Sequence, residues 1–274
     1  MVDVTESYYA TPLINSLIAG LSTGLGAIVI LFLRDRGPKS PAIAGSLGLA
    51  AGVMITVSVF DVYFPRVLGE KRQLRSLLLD HLALLLGVLF QVILQKCIPE
   101  PEIVDLPSNK KEVKDMEVEI RRQRLGVVLA ITLSAHNFPE GSAVAVSSLE
   151  SQKMGLLMTL TIALHNIPEG MCIAVPVFAG TGSFFEAFKM AILSGLTEPL
   201  GAFFTLFFLK PYVTIDENAI GYILMFVAGV MISVSLRELI PEAMRCERPK
   251  HTISGIVAGS LFMLLTLYLS NDDD

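Results

Sequence analysis

AITLSAHNFPEGSAVAVSSLESQKMGLLMTLTIALHNIPEGMCIAVPV, residues 130–177, carries one hexapeptide signature twice, HNFPEG from His136 to Gly141 and HNIPEG from His165 to Gly170. Each copy lies inside an apolar stretch long enough to cross a membrane. An acidic or basic side chain at the centre of an inserting helix costs about 2.5 to 3.5 kcal/mol. Two such clusters need a compensating partner, and a cation is the natural one. Within each copy His and Glu are four residues apart and share a helix face, while Asn and Glu are three apart and are neighbours too. If the two helices face one another, His136, Glu140, His165 and Glu169 form a site of two imidazoles and two carboxylates. Asn137, Glu140, Asn166 and Glu169 then form an oxygen-donor site beside it, bridged by the glutamates. A single copy would read as a buried histidine bonded to a neighbouring helix. Duplication on consecutive spans turns the reading to metal. Nitrogen and oxygen donors suit zinc, ferrous iron, manganese or cobalt, whereas calcium takes oxygen alone and copper(I) prefers sulfur. Pro139 and Pro168 lack the amide proton that would bond the carbonyls of Ala135 and Leu164, which leaves those carbonyls open to a pathway.

The surrounding chain is that of an all-α, multi-pass membrane protein. Of its 274 residues 53% are apolar and 17% charged, and the mean hydropathy is +0.62, far from the balance of a soluble domain. Windows of about 20 apolar residues, the length that crosses a bilayer core, fall at 12–33, 42–64, 77–97, 125–147, 154–178, 185–209, 219–241 and 252–270. The expectation is eight helices in one transmembrane domain, 1–274, with a charged loop at 98–124. The fourth and fifth windows are the least apolar, because they hold the two signatures.

The segment before the first window carries Asp3 and Glu6 and no Lys or Arg, unlike a cleaved signal. An even number of spans puts both ends on one side. Arg34, Arg36 and Lys39, the seven basic residues from Lys96 to Arg124, and Arg245, Arg248 and Lys250 mark cytosolic loops, which leaves both termini extracellular or lumenal. Arg66, Lys71, Arg72 and Arg75 count for the opposite orientation. No address motif separates plasma membrane from an organelle membrane. The three cysteines, Cys97, Cys172 and Cys246, have neither disulfide-framework nor zinc-finger spacing. Cys172 lies three residues after Glu169 and reads as a packing residue in preference to a thiol ligand. The net charge of -5 comes with no basic stripe for nucleic acid.

A second repeat lies outside the signatures. GLSTGLGA (20–27) matches GLTEPLGA (195–202), 175 positions on, and AGVMITVSVFD (51–61) matches AGVMISVSLRE (228–238), 177 positions on. Spans one to three then recur as six to eight, and span four as five. Because three is odd and the intervening pair is even, the triplets are inverted, a 3+2+3 arrangement of the transporter type. Chance recurrence of small residues in apolar helices would not keep two blocks at nearly the same offset. Glu198 stands where the first triplet has Thr23, which adds a carboxylate to the oxygen-donor site. Pro199 replaces Gly24 and should kink the helix there. Asp61 and Glu238 also correspond, and either line the two mouths of a pathway or sit in the interface.

HNFPEG followed by ALHNIPEGMCIAVPV, with SGLTEPLGA and AGVMISVSLRELIPEA, resembles the ZIP (Zrt- and Irt-like) family of divalent-metal transporters, closest to its bacterial-type, broad-specificity branch. The resemblance covers essentially the whole chain. It implies eight helices, a binuclear centre between helices four and five, movement of metal into the cytosol, an elevator-like alternation of access and a homodimer. Carried over position by position, the centre is His136, Asn137, Glu140, His165, Asn166, Glu169 and Glu198. The loop at 98–124 lacks the histidines found in many family members and reads as a solvated linker, and the HEXPHE variant of helix five is absent. Arg237 is expected to pair with Glu238 or Glu242.

These readings converge on a transporter of zinc, with iron, manganese, cobalt and cadmium accepted by the same donors, embedded in the lipid bilayer and using no catalytic cofactor. The same ligands allow an exporter. An intramembrane metalloenzyme, in which metal would activate water or oxygen, finds no HExxH, GxSxG or di-iron histidine cluster here.

Overall fold

A computed structural model of the chain describes residues 4–32, 39–69, 73–97, 110–209 and 217–271, and among them every regular element is helical. Eight long helices organise the molecule: α1 (Tyr9–Phe32), α2 (Pro41–Leu68), α3 (Leu74–Cys97), α4 (Lys110–Glu150), α5 (Gln152–Thr181), α6 (Phe184–Leu209), α7 (Gly221–Arg245) and α8 (Pro249–Leu269). All but α4 are long and apolar enough to cross a membrane. The helix α4 has the length, at 41 residues or about 60 Å, but its apolar window is interrupted by His136, Asn137 and Glu140. Of the segment 98–124, residues 98–109 lie outside the described residues, and the linker expected there is helical from Lys110 onward. Arg34, Arg36, Lys71, Arg72, Asp3 and the Asp272–Asp274 tail also lie outside the described residues.

Local chemistry sets the boundaries. Ser40 caps α2 by accepting from the Ile43 amide, and Pro41 fills the first helical position, where no donor is needed. Ser151 alone separates α4 from α5. It is extended, and its hydroxyl accepts from Met154 N at 3.1 Å, so the two signature helices form a tight antiparallel hairpin. Gly182, at φ 72°, ends α5 in the left-handed conformation glycine tolerates, and Ser183 caps α6 at once. Within α6 the helix breaks at Leu196. The expected kink is present, because the ring of Pro199 clashes with the carbonyl four residues back, that of Gly195. The helices α2 and α7 widen into π-helical segments at Val57–Tyr63 and Ser235–Leu239, which contain Asp61 and Glu238. Each is followed by a proline, Pro65 or Pro241, that withholds an amide from the preceding turn.

Backbones approach most closely where glycine removes the side chain. Gly48 and Gly52 of α2 press on the Thr252 and Ile256 backbones of α8, so these helices run parallel. Ser76 meets Tyr222 at 3.1 Å and Gln95 bonds Glu238 at the other end, which makes α3 and α7 parallel as well. In the same way Gly170 of α5 packs on the Thr23 carbonyl of α1, and Gly141 of α4 on the Glu198 carbonyl of α6. The continuous core lies around α2, α5 and α7. The helix α8 reaches it through Met263, and on α3 and α8 Leu82, Leu85, Leu89, Val257, Leu261 and Leu265 face outward as lipid-facing surfaces do.

Candidate metal centre

The hairpin at Ser151 and the period of the helix bring both signatures to one level in the interior. His136 Nε2 lies 3.0 Å from Glu140 Oε1 on its own helix and 3.1 Å from Glu169 Oε1 across the hairpin. His165 Nε2 lies 2.9 Å from the same Glu140 oxygen. One donor atom each from His136, Glu140 and Glu169 falls within 4.8 Å of the other two. These four side chains are buried, at 4% exposure or less. Both imidazoles thus turn Nε2 toward the carboxylates, and Glu140 is the shared member.

The asparagines extend the lattice. Oriented to satisfy its amide, Asn137 donates to Leu133 O at 2.8 Å and to Glu169 Oε2 at 3.2 Å. Asn166 donates to Ala19 O of α1 at 2.9 Å and to Glu198 Oε1. Glu198 is wholly buried in the first turn after the break in α6, within coulombic reach of Glu140 and Glu169. The structure therefore gathers all seven residues singled out from the sequence, with the His–Glu lattice in direct contact and Asn166 and Glu198 as an adjoining pair.

Burial leaves specific atoms without partners. Among the described residues, Glu140 Oε2, Glu198 Oε2 and Asn166 Oδ1 are buried acceptors with no hydrogen bond. Three carboxylates packed around two neutral-capable imidazoles, with acceptors unspent, make a donor set that a divalent cation would satisfy. Asp61 stands apart. Its side chain is exposed, yet it lies within coulombic reach of His165 and Glu140. Glu238 is at the opposite end, since α2 turns back into α3 through the contact of Tyr63 with His81 (3.2 Å) while α3 runs parallel to α7.

Two features differ from or add to the sequence reading, and a third, at Cys172, agrees with it. Among the described residues Glu242 pairs with Arg121 (3.0 Å), Arg122 (3.5 Å) and Arg245 (3.4 Å), while Arg237 lies within coulombic reach of Glu238, one of the two acids expected for it. Arg121 and Arg122 reach Glu242 because α4 continues beyond the apolar window that begins at 125 and lays these two residues against the end of α7. Thr23, read only as the neutral counterpart of Glu198, is wholly buried with its hydroxyl unpartnered beside Gly195. Its place opposite Glu198 in the repeat was the available signal. The Cys172 thiol meets the Met54 sulfur at 3.7 Å, as a packing residue does.

A helical membrane protein that buries this His–Glu–Asn lattice between its spans has the donor chemistry of a cation-handling membrane protein. Comparison with known proteins narrows the class. A family model described as ZIP Zinc transporter matches residues 101–267. The protein named Zinc transporter ZupT of Streptococcus mutans serotype c is 38% identical over 267 residues, 94% of this chain and 97% of that one. Proteins of the same name from Lysinibacillus sphaericus and Chlorobaculum parvum are 37% and 35% identical, each over 93% of this chain and 95% of its own length. The chain belongs to the ZIP zinc transporter family, whose members are transporters and not enzymes.

Proposed function

We propose that the protein carries zinc into the cytosol through a binuclear centre between α4 and α5, and that iron, manganese, cobalt and cadmium can use the same donors. One metal is held by His136, Glu140, His165 and Glu169, and its neighbour by Asn137, Glu140, Asn166, Glu169 and Glu198, with the two signature glutamates bridging. The observation that carries this reading is the shared Glu140 oxygen, 3.0 and 2.9 Å from two imidazole nitrogens, with its other oxygen buried and unspent. A cation entering the lattice replaces these hydrogen bonds with metal–ligand bonds and satisfies the orphaned acceptors.

We further propose eight spans in an inverted 3+2+3 order. Contacts between the helices support it: α1 with α5 and α6 with α4 are equivalent pairs under the repeat, as are α2 with α8 and α7 with α3, and each pair is parallel. The glycine contacts Gly170 on Thr23 and Gly141 on Glu198 fall at equivalent positions. Asp61 and Glu238, at opposite ends, then mark the outer and inner mouths. The Glu238 end gathers Arg121, Arg122, Arg124 and Arg245 and is read as cytosolic, which puts both termini on the extracellular or lumenal side. A homodimer is the assembly the family implies.

Radiolabelled zinc uptake in a zinc-deficient host tests the reading. The intact protein restores accumulation, and Glu140→Ala and His165→Ala abolish it at equal membrane abundance. Normal accumulation by both variants would overturn it.

A further inference from the structure

The end of the molecule that holds Glu238 has a cavity of about 210 Å³ whose wall includes Arg121, Arg124, Arg237, Arg245, Glu238 and Glu242. It lies between the last turns of α3 and α7 and the stretch of α4 from Arg121 to Val128. Behind it Arg122 is 2% exposed, against Glu242 at 3.5 Å and the Cys246 sulfur at 3.7 Å. Among the described residues, the wall thus sets four guanidinium groups beside two carboxylates. One carboxylate, that of Glu242, is divided among Arg121, Arg122 and Arg245 at 3.0 to 3.5 Å. The thiol adds no counter-charge, because burial pushes Cys246 up from its ordinary value and keeps it protonated.

Clustered guanidinium groups that outnumber the carboxylates facing them attract an anion into the recess they share. Guanidinium forks match the paired oxygens of a phosphate, and a recess this size admits one tetrahedral group. Basic recesses between spans at the membrane surface take anionic headgroups in the same way. We propose that this cavity is an anion site for a phosphate group, supplied by an anionic lipid headgroup or by free phosphate. Neither the proposed cation centre nor its ligands take part. An occupant would draw the guanidinium groups from Glu242 and Glu238, so the site is also placed to bias the proposed inner mouth.

The test uses the purified full chain in detergent, stripped of lipid and offered phosphatidylglycerol or phosphatidylcholine, with retention read by native mass spectrometry. In parallel, sodium phosphate is titrated against sodium chloride at equal ionic strength and the thermal midpoint followed. The double variant Arg124→Gln, Arg237→Gln is compared with Lys39→Gln, which removes an exposed charge elsewhere. Preferential retention of phosphatidylglycerol, weakened roughly tenfold or more in the double variant but not in Lys39→Gln, supports a headgroup site. Stabilisation by phosphate alone, with the same dependence on the variant, supports the free-phosphate source. No preference for either anion, or equal loss in Lys39→Gln, overturns the proposal, and unchanged zinc binding in the double variant shows that the chain is folded.

Discussion

Asn166 shows how much a single side chain can hold. Its amide ties the Ala19 carbonyl of α1 to the Glu198 carboxylate of α6 while its own oxygen stays unspent, so it joins three helices at the edge of the lattice. Replacing it with alanine frees Glu198 to swing and removes one donor. Asn166→Ala should raise the zinc concentration for half-maximal uptake by about 10- to 100-fold, as measured by initial rates in cells, and an unchanged value would remove Asn166 from the centre. At this scale the sequence was highly legible. Six of the seven residues follow from one hexapeptide seen twice, because helical spacing dictates which side chains share a face. Glu198 needed the longer repeat. Two partners of Glu242, Arg121 and Arg122, were not legible, since they are more than a hundred positions away and their approach depends on how far α4 extends.

Breaks in the helices do as much as the helices themselves. The turn at Ser151 fixes the height of one signature against the other, and the break before Thr197 puts Glu198 at the start of a new helical piece. The glycines that end the signatures then set the distance of approach. A methyl group at Gly141 would overlap the Glu198 carbonyl, so Gly141→Val must push α4 from α6 at the level of the centre. Overpacking of this kind costs roughly 1 to 3 kcal/mol. A lower thermal midpoint in detergent with weakened zinc protection is the expected outcome, and wild-type values for both would contradict the close approach. Pro199 gave away the break before Thr197 in the sequence, whereas the turn at Ser151 showed only as the gap between the windows 125–147 and 154–178. The π-helical widening around Asp61 and Glu238 was not readable, because it depends on how the turns before Pro65 and Pro241 relax once an amide is missing.

Across the whole molecule, the outward-facing leucines of α3 and α8 enclose an interior that combines an apolar core with the buried polar lattice. Hydropathy alone reads this correctly for seven helices and understates α4, whose polar residues are the ones that matter. In the proposed reading the lattice lies on a cation route between an Asp61 end and a Glu238 end, with carboxylates along it. Protons compete for the same donors, since a ligating imidazole must be neutral and a ligating carboxylate ionised. Flux should therefore fall as the medium is acidified from about pH 7.5 to about pH 5.5. The most direct measurement is zinc entry into proteoliposomes containing the purified protein or its Glu140→Gln variant, which keeps the side chain's shape but loses its charge. The account predicts saturable entry for the native chain and entry no faster than in protein-free vesicles for Glu140→Gln. Entry at the native rate through the folded variant would contradict it.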